Sequence, residues 1–214
     1  MVRRSALAAM AAQAPGPRCR AELLGASAGL ASAAALCLSL PPLRALIEQS
    51  MVWHMLVQMP LLLLAGCLFG MMLAQRPADA FARSAACLNR YGLSGFMLAQ
   101  CVAAYWMVPA MIDRAVVLPA ADAAKLGSLW LAGMALHGAF RQAPAAVQVF
   151  FVGYALPMMV WLGYYLASTD LRLCNAYALE SQVRAGWGLV LLAAAAGLVW
   201  ALALQRRLAH DSPV

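Results

Sequence analysis

The sequence predicts an all-α, polytopic transmembrane helix bundle, and its composition is the first observation that does so. Of the 214 residues, 65% are hydrophobic and only 11% are charged, whereas a soluble domain usually carries about 25% charged residues. The mean hydropathy is +0.78. So little polar surface cannot coat a water-soluble globule, which argues against a cytosolic enzyme, a nucleic-acid-binding domain or a disordered chain.

The second observation is a series of six apolar stretches, each close to the roughly 20 residues that a helix needs to span a bilayer. The connections between them are short, so consecutive helices should pack antiparallel. The fourth stretch is the most polar, because it crosses Lys125. The predicted spans, in chain order, are 23–40, 51–74, 93–112, 123–140, 146–168 and 185–204.

These spans define one transmembrane helical domain, residues 21–207, between a basic tail of residues 1–20 and a short tail of residues 208–214. The first tail has an alternative interpretation, a cleaved signal peptide, because Arg3 and Arg4 precede an Ala-rich run. That run is weakly apolar and is interrupted by Gln13, so we interpret it as a cytoplasmic tail.

The positions of Lys and Arg predict the orientation, since cytoplasmic connections carry an excess of both. The two tails, the second connection and the fourth carry ten basic and three acidic residues, whereas the other side carries five of each. The whole formal charge of +7 therefore falls on one side. Both termini are predicted to be cytoplasmic, and the basic pI reflects topology and attraction to anionic lipid, not nucleic-acid binding.

The start of the second span, residues 51–60, carries candidate metal ligands. On a regular helix Met51, His54 and Met55 lie on one face, and Gln58 continues that face. Thioether sulfur and imidazole suit Cu(I), and a polar group inside a span suggests function. The competing explanation is coincidence in a core, because the chain has 13 methionines and methionine is a common core residue.

Further candidate ligands are expected at the same membrane depth. Met107 and Met111 are one helical turn apart near the end of the third span, just before Asp113. Cys174 lies in the loop between the fifth and sixth spans. The alternative for Asp113, which precedes Arg114, is an ordinary surface charge.

Two local patterns predict details of the helices. Gly25 and Gly29, and likewise Gly66 and Gly70, have the GxxxG spacing that lets helix backbones approach closely. With 15 glycines in the chain, chance explains such spacing about as well. Pro60 removes a helix hydrogen bond and predicts a local bend in the second span.

Several chemistries find no support in the sequence. It contains no HExxH, Walker A or GxSxG motif, and no arrangement of nucleophile and base points to an enzyme. His54 and His137 are expected at about 5 Å and about 17 Å from the outer surface, which is too different for one haem. Cys37 and Cys174 share the outer side, so their depth permits a disulfide while their geometry stays open.

Three motifs between residues 51 and 186 share their order and spacing with one family. The first begins at Met51 with Met-Val-Trp-His-Met-Leu, and Pro60 opens its apolar continuation. The second begins at Trp106 with Trp-Met-Val-Pro and continues to Asp113 and Pro119. The third begins at Leu171 with Leu-Arg-Leu-Cys-Asn-Ala-Tyr and continues to Glu180-Ser-Gln and Gly186. In these motifs the chain resembles the CtaG-type (caa3-associated) cytochrome c oxidase assembly proteins, which are polytopic bacterial membrane proteins.

The resemblance implies a multi-pass protein of the bacterial inner membrane that helps to mature a copper-containing oxidase. It further implies copper handling at the periplasmic face, with an oxidase subunit or a copper chaperone as partner. His54 and Met55 match the family's His-Met pair, and Asp113 matches the acid of its second motif.

The chain departs from the family at several positions. Ser50 and Trp53 stand where the family has His and Gln, a later family His falls near Leu126, and Glu180 and Ser181 stand where it has Asp and Gln. The family also has about seven spans rather than six. Either this chain is a divergent member that uses Met and Cys as soft ligands, or it has kept the fold and lost the metal.

We therefore expect an accessory factor, not an enzyme, that binds or passes Cu(I) near the outer surface. The alternatives are a scaffold that recognises partner helices without a metal, and a small permease. For a permease, intramembrane polar residues such as Gln58, Gln100 and His137 are too few to trace a pathway. The candidate copper ligands are His54, Met51 and Met55, with Met107, Met111, Asp113 and Cys174 as contributors.

Overall fold

The predicted all-helical class is confirmed. A computed structural model describes residues 17–37, 40, 43, 46–47, 49–75 and 87–211, and no strand occurs within them. The predicted tail up to residue 16 lies outside these residues. The helices are α1 Pro17–Cys37, α2 Met51–Leu73, α3 Leu93–Met107, α4 Pro109–Val117, α5 Pro119–Gln142, α6 Ala145–Ser168 and α7 Leu179–Asp211.

Three of the described helices are long and apolar enough to cross a membrane: α2, α6 and α7. The consecutive helices α3 and α4 also qualify as a pair, but they meet at an angle of 77°. By length and composition this gives three candidate spans, or four if the bent pair is counted as one. These helices make the chain a membrane protein.

The expected third span over residues 93–112 is not one continuous helix, because the helix breaks at Val108. Pro109 has no N–H, and its ring confines the preceding residue to an extended conformation. Val108 accordingly has φ −73° and ψ 122°. As a result Met107 ends α3, and Met111 lies on the separate helix α4.

Prolines also define both ends of α5. Leu118 before Pro119 and Ala143 before Pro144 are both extended, as the residue before a proline prefers. α5 therefore begins at Pro119, earlier than the expected residue 123, since proline is well suited to the first helical turn. α7 likewise begins at Leu179, six residues before its predicted start.

The helix α5 is the centre of one layer, in which it packs against α2, α3 and α4. α1 covers the other side of α2. α6 and α7 form a second pair, which meets the first layer chiefly where α7 contacts the opening turns of α2.

Glycines allow the closest of these helix crossings. A Cβ atom at Gly66 would overlap a backbone carbonyl of α5, and one at Gly133 of α5 would overlap a carbonyl of α2. Gly70 also faces α5, where a Cβ atom would lie 3.3 Å from the Met134 carbonyl oxygen, so the GxxxG prediction is confirmed for α2. It is not confirmed for α1, because nothing in the described part of the chain lies within 4 Å of a Cβ built at Gly25 or Gly29.

The two glycine pairs give a matched test of this packing. We expect Gly66→Ala to lower the thermal unfolding midpoint of the detergent-purified protein, because overpacking of this kind costs about 1–3 kcal/mol. Gly25→Ala should leave the midpoint unchanged or raise it, since alanine favours a helix by up to about 1 kcal/mol over glycine. Equal midpoints for the two variants, measured by circular dichroism, would contradict the α2–α5 crossing.

Candidate functional site

A sulfur-rich core lies at the end of the bundle where α2 begins. Every helix from α1 to α7 contributes at least one buried residue to it, as does the loop of residues 169–178 that joins α6 to α7, here called the late loop. Its sulfur-bearing members are the buried Met51, Met55, Met59 and Cys174, with Met107 and Met111 packed against them and partly buried.

The opening of α2 is a π-helix, not a simple bend. The five residues from His54 to Gln58 form it, and the Met59 backbone N–H donates to the His54 carbonyl, five residues earlier. Pro60 follows directly, so the wider turn occurs where proline has removed a donor from the regular pattern. Short π-helical turns of this kind often occur at functional sites.

The predicted face of α2 is confirmed as a buried face. The exposed fractions of Met51, His54, Met55 and Gln58 are 1%, 0%, 3% and 1%, whereas Trp53 on the other side is 56% exposed. The wider turn therefore preserves the expected grouping and directs all four side chains into the bundle.

The late loop brings a thiol and an aromatic ring to this face. Cys174 and Tyr177 are both buried in the sulfur-rich core. The centre of the Tyr177 ring lies 6.1 Å from that of His54. Residues more than a hundred positions apart thus enclose one volume that contains thioether, thiol and imidazole groups.

Asp113 holds the late loop by its carboxylate. Its two carboxylate oxygens accept hydrogen bonds from the backbone N–H groups of Asn175, at 3.1 Å, and Ala176, at 3.2 Å. Arg172 holds the same loop from within, donating to the carbonyls of Asn175 and Tyr177 at 2.7 Å each. Asp113 is therefore an anchor of the late loop, and its part in metal binding stays a prediction.

Gln182 is a third anchor, a role that its sequence context does not predict. Its side chain is buried; Oε1 accepts from the Leu173 backbone N–H at 2.9 Å. Its Nε2 donates to the carbonyls of Leu166 and Leu171, at 3.3 Å and 3.1 Å. One amide thus satisfies three backbone groups around the end of α6, where helix carbonyls otherwise have no partner.

Ser181 ties the start of α7 to the start of α2. Its hydroxyl accepts the Met51 backbone N–H at 2.8 Å, which is one of the donors that every helix N-terminus leaves unpaired. In the sequence, the only signal for the roles of Ser181 and Gln182 is the Glu-Ser-Gln segment of the third motif.

A buried ion pair lies at the start of α5 and was also missed. The Lys125 ammonium contacts the Asp122 carboxylate at 2.8 Å, and both side chains are almost fully buried. One turn further on, the Ser128 hydroxyl accepts the Trp106 indole N–H at 2.9 Å. Opposite charges three residues apart on a helix would have been a signal for this pair.

The electrostatics of Cys174 bear on any metal chemistry here. Burial, together with the negative charge of Asp113, raises the pKa of the Cys174 thiol to about 11. The thiol is therefore protonated near neutral pH, and a metal that binds its sulfur as thiolate must displace a proton.

Cys174 and Cys37 are both free. The disulfide between them, which their similar membrane depth would permit, is therefore not formed.

Within the described residues, no group of three or more His, Cys, Asp and Glu side chains is placed to hold a metal ion. A metal in the sulfur-rich core would therefore depend on methionine sulfur, with His54 and Cys174 as further donors.

No family model, curated protein or solved structure matches this chain.

The anchoring of the late loop predicts the reactivity of Cys174. In a variant that keeps Cys174 alone, the rate of alkylation by iodoacetamide should rise with pH up to about 11. Asp113→Asn should move this rise to lower pH, because the nearby negative charge that disfavours the thiolate is removed.

Glu180→Gln is the matched control, since this exposed carboxylate pairs with Arg184 and not with the late loop. It should leave the pH profile unchanged. A wild-type profile centred on the 9.0 of an unperturbed thiol would contradict the buried environment of Cys174.

Proposed function

We propose that this protein is an accessory factor for the assembly of a copper-containing cytochrome c oxidase and that it holds Cu(I) in its sulfur-rich core. In this proposal it is a CtaG-like protein of the bacterial inner membrane with six spans, both termini in the cytoplasm and the late loop facing the periplasm. Its partner is an oxidase subunit or a copper chaperone, and it catalyses no reaction of its own.

The observation that carries the proposal is the convergence of three separate segments. Met51, His54 and Met55 from α2 enter the same core region as Cys174 from the late loop. The α3–α4 corner adds partly buried methionines. The three segments are those of the family resemblance, and the residues that converge from them are soft donors.

The chemistry of these donors favours a monovalent soft ion. Thioether sulfur is neutral and prefers Cu(I) to hard cations. Burying charge is costly unless it is compensated, and a site of neutral ligands leaves only the single charge of Cu(I) to be stabilised. A divalent ion would need carboxylates, and Asp113 is already committed to the late loop.

A metal-free scaffold is the second candidate function, and one observation favours it. The glycine face of α1 at Gly25 and Gly29 has nothing within 4 Å in the described part of the chain. Small residues at this spacing suit close contact with another membrane helix. In that case the methionines serve as ordinary core packing.

Copper binding distinguishes the two. The purified full chain, titrated anaerobically with Cu(I) against a chromogenic chelator, should bind about one ion tightly. His54→Ala and Met55→Leu should each weaken binding by tenfold or more, or about 1.4 kcal/mol. Leucine preserves the volume of Met55, so a loss there reports the sulfur and not the packing.

Met158→Leu is the matched control, because Met158 is exposed on α6, away from the core. It should bind copper as the wild type does. Absence of binding, or equal binding by all variants with unchanged thermal midpoints, would remove the copper role and leave the scaffold.

A further inference from the structure

A cavity of about 590 Å³ lies far from the sulfur-rich core, along the second half of α7. Its volume is in the range of small-molecule sites, about 300–1,000 Å³. Neither the proposed copper site nor the family resemblance involves it. Its walls include Phe140 of α5, Gln148 of α6, and Leu192, Ala196, Trp200 and Arg207 of α7.

The cavity is a long apolar groove. From Leu192 to Arg207 it follows α7 for about 22 Å, at roughly 1.5 Å per residue. One leaflet of a bilayer contributes about 15 Å of hydrocarbon, half of the roughly 30 Å core. The small side chains of Ala196 and Ala203 line the groove and leave room in it. The groove therefore has the length and the shape to hold one acyl chain.

The groove is polar at one end only. There Arg207 donates from Nη1 to the Phe140 carbonyl at 3.1 Å, and the buried Gln148 donates to the same carbonyl at 3.2 Å. These bonds hold the guanidinium at the mouth of the groove. No carboxylate in the described part of the chain forms an ion pair with Arg207, so the positive charge at this end of the groove has no counter-ion there.

A guanidinium placed in this way complements an anionic headgroup, because its planar donors match the geometry of a phosphate. A molecule with an apolar tail and an anionic head therefore matches both parts of the groove.

We propose that this groove binds one anionic glycerophospholipid, with an acyl chain along the alanines of α7 and the phosphate at Arg207. The site differs from the general attraction of a basic surface for anionic lipid. Arg206 carries the same charge at the same end of α7 but does not line the groove, because adjacent helical residues point about 100° apart.

The test uses Trp200 as a reporter in the full chain, reconstituted into phosphatidylcholine vesicles. Acyl-brominated phosphatidylglycerol is added to one series and acyl-brominated phosphatidylcholine to another. The signal is the quenching that is lost in Trp200→Phe. We expect half-maximal quenching at about fivefold less of the anionic lipid, equivalent to about 1 kcal/mol for one arginine near a phosphate.

Arg207→Gln should abolish this preference, whereas Arg206→Gln should retain it. Ala203→Leu fills the groove without changing charge and should reduce quenching by both lipids. Equal quenching by the two lipids in the wild type would overturn the proposal. Equal loss of the preference in both arginine variants would do so as well, since it would show diffuse attraction instead of a site.

Discussion

The end of the bundle that carries the sulfur-rich core depends on one requirement: a backbone N–H or C=O removed from water must find a hydrogen-bond partner. A non-helical segment such as the late loop cannot meet this requirement internally. Gln182 meets it at the buried end of α6, and Asp113 and Arg172 add more exposed bonds to backbone groups of the loop. Without these side chains the loop could not bring Cys174 and Tyr177 into the core.

The same requirement explains where the helices change direction. The chain turns at three prolines, Pro109, Pro119 and Pro144, which have no N–H to donate. Each stands where a helix begins, and there the helix does not need that donor. The turn at Val108 places Asp113 on the short helix α4, beside the late loop. A straight third helix would have carried this carboxylate away from the amides that it accepts. In this chain the Trp106-Met-Val-Pro segment and the acid that follows it thus form a bend and an anchor.

Periodicity and composition were enough to predict the helical class, the boundaries of α2 and α6 to within a residue or two, and the buried face of Met51, His54 and Met55. They were not enough to distinguish Gly66 from Gly25, because identical spacing acquires meaning only from the partner helix. The role of Asp113 depends on amides 62 and 63 residues away, and no local pattern encodes such a contact.

The distribution of close contacts indicates which part would move if an ion entered the core. The α2–α5 and α6–α7 crossings meet at glycines, where backbone lies on backbone, so neither pair can slide without a clash. The late loop is held by individual hydrogen bonds, each worth only about 1 kcal/mol net. Releasing Asp113 and Gln182 from the loop would expose Cys174 without disturbing a helix crossing. The helix crossings therefore serve as a frame, and the late loop is joined to it by these side-chain hydrogen bonds.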